Sequence, residues 1–244
     1  MAVHAIICGG GSGTRMGGTT NKSFILLEGK PVIAYSLELF QNHPQITTIT
    51  LAMHPEWVQE TMRWINRLGI TKMKRLVEGG KERQDSVRRA LEAVGNAHPS
   101  SEDIILVHNA ANPLVEEATI TECIRAAHLH SASVAGYKVK DTIRKVGEDG
   151  KSISTVDRSG LWGMQTPQCI RYGVFVQAHK RAAEEGFLGT DDVQLVERLG
   201  IFPAVVDGGY ENIKITTPED ILFAQQVIQR RKAKREAASE KDIN

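Results

Sequence analysis

The chain has 244 residues, with 30 basic and 29 acidic side chains, which is enough for one α/β domain with a sizeable core. This balance predicts no partnership with nucleic acid or an anionic membrane. No apolar run approaches the roughly 20 residues of a membrane span, and the start lacks a secretory pattern. Three separated cysteines without a CxxC pair favour a reducing, cytoplasmic location.

Apolar periodicity predicts alternating strands and helices along the chain. The predicted strands are 5–8, 46–53, 75–78, 104–108 and 203–206. The predicted helices are 31–40, 56–68, 83–94, 119–130, 172–185 and 217–230. This order predicts an α/β fold with a mostly parallel sheet and helices on both faces, forming one domain over residues 1–230.

Two later segments depart from that alternation. Residues 139–146 and 152–158 flank the turn Gly147-Glu148-Asp149-Gly150, and together predict a hairpin arm over about 138–160 that protrudes to cap its own site or to clasp a second subunit. Residues 212–216 have a strand-like pattern around Lys214, typical of an edge strand. The tail, residues 231–244, is charged and is expected to fray.

The glycine-rich turn after the first strand carries the strongest functional pattern. Gly9, Gly10, Gly11 and Gly13 allow backbone N–H groups to approach an anion, and Arg15 and Lys22 add full charges. The spacing fits neither a P-loop nor a dinucleotide fingerprint, which lacks its third glycine here. A nucleotide phosphate site is favoured over a plain connecting turn.

Polar loops follow other predicted strands, at the edge where ligands bind in open parallel sheets. Gly80 and Ser86 lie in one such loop, which either contacts a nucleobase or simply starts a helix. Asn109 and Asn112 follow residues 104–108. Arg158, on the second arm of the hairpin, is either a solvated charge or an anion clamp. The turns that contain Thr166 and Thr190 indicate no particular chemistry on their own.

Taken in order from Ala5 to Ile221, these segments resemble the 2-C-methyl-D-erythritol 4-phosphate cytidylyltransferase family, with ribitol 5-phosphate cytidylyltransferases as near relatives. The residues that carry the resemblance are Gly9–Met16 with Lys22, Gly79-Gly80 with Glu82-Arg83 and Asp85-Ser86, Val107-His108 with Ala110-Ala111 and Pro113, Asp141-Thr142, Thr155–Arg158 with Gly160-Leu161-Trp162, Thr166-Pro167-Gln168, Thr190-Asp191, and Asn212-Ile213-Lys214 with Thr216 and Pro218-Glu219-Asp220. Each motif is weak alone, but the ordered set is specific.

The resemblance implies a Rossmann-like nucleotidyltransferase fold, a homodimer clasped through the hairpin arm, and transfer of CMP from CTP to a polyol phosphate with release of pyrophosphate. It implies catalytic roles for Arg15, Lys22 and Lys214. The implied nucleotide-binding residues are Cys8, Gly9, Gly10, Gly11, Gly13, Gly80, Ser86, Asn109 and Ala110. The implied acceptor-binding residues are Asn112, Thr142, Arg158, Thr166 and Thr190. It further implies Mg²⁺ bound mainly through the CTP phosphates.

Four positions depart from the family pattern. Asn109 and Asn112 stand where the family usually has Asp and Arg, Asn21 replaces a proline, and Lys81 replaces an acidic residue. Three alternatives remain open at this point: another polyol phosphate as acceptor, a nucleotide-binding protein that has lost turnover, and a dinucleotide-dependent oxidoreductase, which the missing glycine disfavours. Retention of Arg15, Lys22, Arg158 and Lys214 favours a working enzyme.

Overall fold

The computed structural model describes residues 1–10 and 21–241. In its first half, the strands are β1 (Val3–Gly9), β2 (Leu26–Leu27), β3 (Lys30–Pro31), β4 (Thr48–Met53), β5 (Met73–Glu78) and β6 (Ile104–Asn109). The helices there are α1 (Val32–Asn42), α2 (Val58–Arg67), α3 (Arg83–Gly95) and α4 (Glu117–His130), with short 3-10 helices at Lys22–Phe24 and Pro55–Trp57.

The second half contains the strands β7 (Ala132–Lys138), β8 (Ile143–Val146), β9 (Ser152–Val156), β10 (Trp162–Arg171) and β11 (Ala204–Asp207). Its helices are α5 (Tyr172–Glu185), α6 (Val193–Glu197) and α7 (Pro218–Lys241). Across the described residues no helix is both long and apolar enough to cross a membrane.

The central sheet has the strand order β11-β7-β10-β6-β1-β4-β5. Every neighbouring pair is parallel except those of β10, which runs antiparallel to both β6 and β7. The strands β1 and β6 lie side by side in the middle and are almost wholly buried, as continuous apolar runs predict. The expectation of a mostly parallel sheet is confirmed.

Two apolar cores cover the two faces of the sheet. One contains Leu37 and Phe40 of α1 and Ile120 of α4; the other contains Leu91 of α3 and Phe175 of α5. Fully burying each such side chain contributes about 1.5–3 kcal/mol. The predicted α/β fold with helices on both faces is therefore confirmed, and its packing holds the carboxyl edge of β1 and β6 in place.

The sequence analysis missed β7 and β10. A proline within an apolar run argues against a central strand, and β10 contains Pro167. The register between β10 and β7 shifts between Met164 and Gln168, and this irregularity accommodates the proline. A single residue, Ser131, separates α4 from β7. It adopts a left-handed conformation (φ 68°), so the chain turns there without a longer loop that would mark the change in the sequence.

The hairpin arm exists but is shorter than expected. Its strands β8 and β9 pair only with each other, outside the central sheet, and most of their side chains are exposed. Residues 139–142, predicted as part of the first arm, are not strand.

Two expectations at the carboxyl end are wrong. Residues 212–216 form no strand: the Ile215 N–H bonds to a neighbouring loop at the Ala111 carbonyl (2.8 Å), whereas the Ile213 and Thr216 N–H groups bond locally, to the Glu211 carbonyl and the Asp220 carboxylate. The helix α7 continues to Lys241 instead of ending at residue 230. The added segment is rich in Ala, Lys, Arg and Glu, which favour helix intrinsically, so it forms without an apolar face.

Candidate active site

Two glycine turns meet at the carboxyl edge of the sheet. Gly10 follows β1 and Gly79 follows β5, and their backbones touch: a Cβ on Gly79 would lie 2.9 Å from the Gly10 Cα. A side chain at either position would push the turns apart. This close approach brings backbone groups of both turns to one concave edge, as an anion or nucleobase site requires.

The Ser86 hydroxyl shapes the second turn. Its Oγ accepts a hydrogen bond from the Gly80 N–H (2.9 Å) and donates to the Glu82 carbonyl (3.2 Å), and the side chain is buried. The Asp85 carboxylate caps the same helix start by accepting from the Glu82 N–H (3.2 Å). Ser86 therefore fixes the conformation of Gly80, whether or not its hydroxyl also touches ligand.

Lys22 is placed by Asn21. The Asn21 Oδ1 accepts from the Ser23 N–H (2.9 Å), which caps the short helix, and its Nδ2 donates to the Gly9 carbonyl (3.3 Å). Phe24 then stacks on Trp57 with ring centroids 4.8 Å apart. Asn21 thus holds the lysine segment to the end of β1.

A buried polar network follows β6. The Arg83 guanidinium donates from Nε to Asn109 Oδ1 (3.0 Å) and from Nη2 to Asp192 Oδ2 (2.6 Å). The Asn109 Nδ2 donates to Asn112 Oδ1 (3.2 Å), and Asn112 is only 2 % exposed. The two amide side chains are therefore bonded to each other. The resemblance did not indicate this, because it implied that Asn109 faces the nucleotide and Asn112 the acceptor.

His108 joins this loop to β10. Since a carbonyl only accepts, the His108 Nε2–H donates to the Asn112 carbonyl (2.9 Å), and Nδ1 then accepts from the Thr166 hydroxyl (3.0 Å). The Thr166 Oγ in turn accepts from the Asn109 N–H (3.3 Å). Burial lowers the pKa of His108 to about 4, although its bond to Asn112 favours the charged ring. The imidazole is therefore neutral at pH 7 and orients Thr166.

Acidification should destabilise the protein through His108. Because its pKa is lowered to about 4 by folding, the unfolded chain binds more protons between about pH 6.5 and 4, and the free energy of unfolding falls as pH decreases. The full effect is about 3 kcal/mol. In urea denaturation across this window, His108→Gln should lose less stability than the wild type. The exposed His130→Gln is the control, and equal slopes for all three proteins would contradict this role.

Lys214 lies in an extended segment fixed on both sides. The Asn212 Nδ2 donates to the Thr166 carbonyl (2.8 Å), and Ile215 is fully buried. The Asp220 carboxylate accepts from the Thr216 N–H (2.8 Å) at the start of α7. These bonds place an exposed lysine at the carboxyl edge without a strand.

Two adjoining clefts open at this edge. The glycine-loop cleft, about 640 Å³, is lined by Cys8, Gly9, Gly10, Lys22, Gly80, Ser86, Asn109 and Lys214, among others. The Thr-Pro-Gln cleft, about 820 Å³, is lined by Asn112, Thr166, Thr190, Asp191 and Lys214, among others. Arg83, Asn109 and Lys214 line both clefts and form the shared wall.

The remaining predicted site residues either fall outside the described part of the chain or line neither cleft. Gly11, Gly13 and Arg15 lie outside the described residues. Ala110 is buried beneath the glycine-loop cleft, and its N–H donates to the Cys8 carbonyl (2.9 Å). Thr142 and Arg158 are exposed on the arm side and line neither cleft of their own chain; the Arg158 guanidinium donates to the Lys140 carbonyl.

Known proteins match both the sequence and the fold. The family model for 2-C-methyl-D-erythritol 4-phosphate cytidylyltransferase matches residues 3–230. The chain belongs to this family. The Lysinibacillus sphaericus enzyme of that name is 42% identical, covering 95% of this chain and 97% of the relative, and the Geobacillus kaustophilus enzyme is 39% identical over 96% and 100%.

Solved structures of the family agree. The 4-diphosphocytidyl-2C-methyl-D-erythritol synthase of Anaerococcus prevotii superimposes with a TM-score of 0.81 at 26% identity, covering 93% and 96% of the two chains. The Thermus thermophilus cytidylyltransferase gives 0.74 at 27% identity, covering 94% and 100%. The expected nucleotidyltransferase fold and the expected class of enzyme, a CTP-dependent cytidylyltransferase of isoprenoid precursor synthesis, are confirmed.

Sequence reasoning missed Arg83 and Asp192 as parts of the site. One pattern did point to Arg83: it is the first residue of α3, and a cation at a helix amino terminus opposes the helix dipole. Such a position is unfavourable unless the charge has a partner elsewhere in the fold. Asp192, only 1 % exposed, is that partner.

Proposed function

We propose that the chain binds CTP in the glycine-loop cleft and 2-C-methyl-D-erythritol 4-phosphate in the Thr-Pro-Gln cleft, and transfers CMP to the acceptor phosphate. The observation that carries this assignment is the shared wall of Arg83, Asn109 and Lys214. At such a wall the α-phosphate of CTP and the phosphate of the acceptor lie next to each other. The acceptor oxygen therefore reaches the α-phosphorus, and pyrophosphate leaves. The chemistry is then mostly positioning and charge stabilisation.

The proposed roles follow the clefts. Lys22, with Arg15, contacts the triphosphate and the charge that grows on the α-phosphate. Lys214 holds the attacking phosphate at the shared wall. The proposed cytidine contacts are made by Cys8, Gly9, Gly10, Gly11, Gly13, Gly80, Ser86 and Asn109, whereas the buried Ala110 supports the cleft from beneath. Burial raises the pKa of the Cys8 thiol to about 12, so Cys8 serves as an apolar contact and not as a nucleophile.

Acceptor recognition centres on Thr166 and Thr190 with Asn112. Asn112 is neutral, buried and bonded to Asn109, so it fixes the loop rather than clamping the acceptor phosphate as an arginine does. We assign that clamp to Thr142 and Arg158 of a second subunit.

We propose a homodimer in which the hairpin arm crosses to the partner. Thr142 and Arg158 line neither cleft of their own chain, although their neighbours Lys140 and Asp141 line the Thr-Pro-Gln cleft, and the arm exposes Val146 (56 %) and Ile153 (64 %). Exposed aliphatic side chains on a protruding hairpin are typical of a contact surface. The partner's Arg158 would then complete the acceptor site.

Mg²⁺ fits this site through the nucleotide. In proteins it favours carboxylate and phosphate oxygens. Asn109 offers an amide oxygen, and that atom already accepts from Arg83. The ion would therefore be held mainly by CTP phosphates, where it neutralises part of their charge when bound. We also propose a cytoplasmic location, because the free thiols of Cys8, Cys123 and Cys169 suit a reducing compartment.

A panel of acceptors tests the proposal. Pyrophosphate release from CTP and Mg²⁺ should require a polyol phosphate, and 2-C-methyl-D-erythritol 4-phosphate should give the highest kcat/KM. Ribitol 5-phosphate and erythritol 4-phosphate are the matched comparisons, and the unphosphorylated methylerythritol is the control. Highest kcat/KM with ribitol 5-phosphate would overturn the acceptor assignment, and no release with any acceptor would overturn the function.

A further inference from the structure

None of the roles proposed above belongs to Arg83, although this residue lies at the shared wall of the two clefts. It starts α3 directly after the Gly79-Gly80 turn, and its guanidinium lines both clefts at the shared wall. Its side chain is 27 % exposed, whereas its partner Asp192 is 1 % exposed. The pair therefore presents the guanidinium, not the carboxylate, to the clefts.

Two hydrogen bonds fix the orientation of this guanidinium. Nε is held by Asn109 Oδ1 (3.0 Å) and Nη2 by Asp192 Oδ2 (2.6 Å). Among residues 1–10 and 21–241, no hydrogen bond involves its Nη1. A planar guanidinium held at two of its nitrogens has its remaining donors aimed in a fixed direction.

The backbone of Asp192 is itself held in place. The Gln168 Oε1 accepts from the Asp192 N–H (2.9 Å), and Gln168 Nε2 donates to the Asp191 carboxylate (3.1 Å). Gln168 is 2 % exposed, so this clamp is part of the core. A donor held this firmly stabilises developing charge without reorganising, which is the most effective form of electrostatic catalysis.

We infer that Arg83 is a further catalytic residue, which donates a hydrogen bond to the phosphoryl group that passes from nucleotide to acceptor at the shared wall. The inference rests on the proposed placement of the two substrates. Asp192 acts as its positioning residue: its buried carboxylate pairs with the partly exposed guanidinium and fixes its plane. The phosphoryl oxygen belongs to CTP before transfer and to the product afterwards, so Arg83 contacts the one group common to both clefts.

A pair of variants separates this role from a structural one. Asp192→Asn removes the carboxylate charge of the ion pair but keeps the Arg83 side chain in the protein. Arg83→Met/Asp192→Asn also breaks the pair, leaves no unpaired buried charge, and removes the guanidinium. If Arg83 contacts the phosphoryl group, the double variant should have a kcat about 100-fold or more below that of Asp192→Asn. Both should melt at similar temperatures, and Arg88→Met on the exposed side of α3 should match the wild type.

The Michaelis constants identify the contacted phosphate. A fall in kcat with both KM values unchanged supports contact with the transferred group, and an added rise in acceptor KM supports contact with the attacking phosphate as well. Equal kcat values for Asp192→Asn and the folded double variant would overturn the inference. Wild-type protein assayed in parallel separates this failure from failure of the proposed function, since the wild type alone reports the latter.

Discussion

Lys22→Ala should lower kcat roughly 100- to 1000-fold while leaving the fold intact, because one donor aimed at transition-state charge is worth about 3–4 kcal/mol. The lysine lines the glycine-loop cleft, and Asn21 fixes its segment through bonds to Ser23 and Gly9. These bonds do not depend on the Lys22 side chain, so thermal stability should change little. Steady-state kinetics and thermal melting measure the two effects.

The matched control is Lys74→Ala, an exposed lysine on β5 whose ammonium donates to the nearby Thr71 carbonyl (3.3 Å). It should keep wild-type kinetics. If Lys22→Ala also turns over at the wild-type rate, Lys22 has no part in the transfer step. A rise in the KM for CTP without loss of kcat would restrict Lys22 to binding.

Mixing an Arg158→Ala chain with a Lys22→Ala chain should restore activity that neither has alone. In a dimer with crossed arms, one site of each mixed dimer carries both substitutions and the other carries neither. Random exchange of subunits makes about half the dimers mixed, so the mixture should reach about a quarter of wild-type activity. Pyrophosphate release after exchange, confirmed by native mass spectrometry, measures the recovery.

A second mixture controls for general effects of exchange. Combining Lys22→Ala with wild-type chains should give activity in proportion to the intact sites. Confirmed exchange between the two variants with no gain in activity would show that Arg158 does not act across a subunit interface.

The sequence was sufficient for the parts of the fold that follow periodicity. Continuous apolar runs in β1 and β6 and the helical spacing of α3 predicted a parallel sheet with helices on both faces. Strand β10 was missed because Pro167 lies within it, and the pairing that accommodates Pro167 is visible only in three dimensions. The end of α7 was missed because helix propensity, not an apolar face, extends it.

The candidate site was likewise predictable only in part from the sequence. Gly9, Gly10, Gly80 and the polar loop after β6 were predictable at the carboxyl edge because each follows a predicted strand, whereas Lys214 lies in a segment that forms no strand. The Arg83–Asp192 pair joins residues 109 positions apart, and no local pattern connects them. Asn109 and Asn112 were expected to face different ligands, whereas their side chains bond to each other (3.2 Å). Contacts between distant loops depend on packing, which a single sequence does not display.

The most direct measurement follows the α-phosphate itself. CTP labelled at the α-phosphate is incubated with the protein, Mg²⁺ and 2-C-methyl-D-erythritol 4-phosphate, and the products are separated. Our account predicts that the label moves into a cytidine diphosphate conjugate of the acceptor, with one pyrophosphate released for each conjugate formed and none without acceptor. Label found only in CMP, at a rate independent of the acceptor, would contradict transfer between the two clefts.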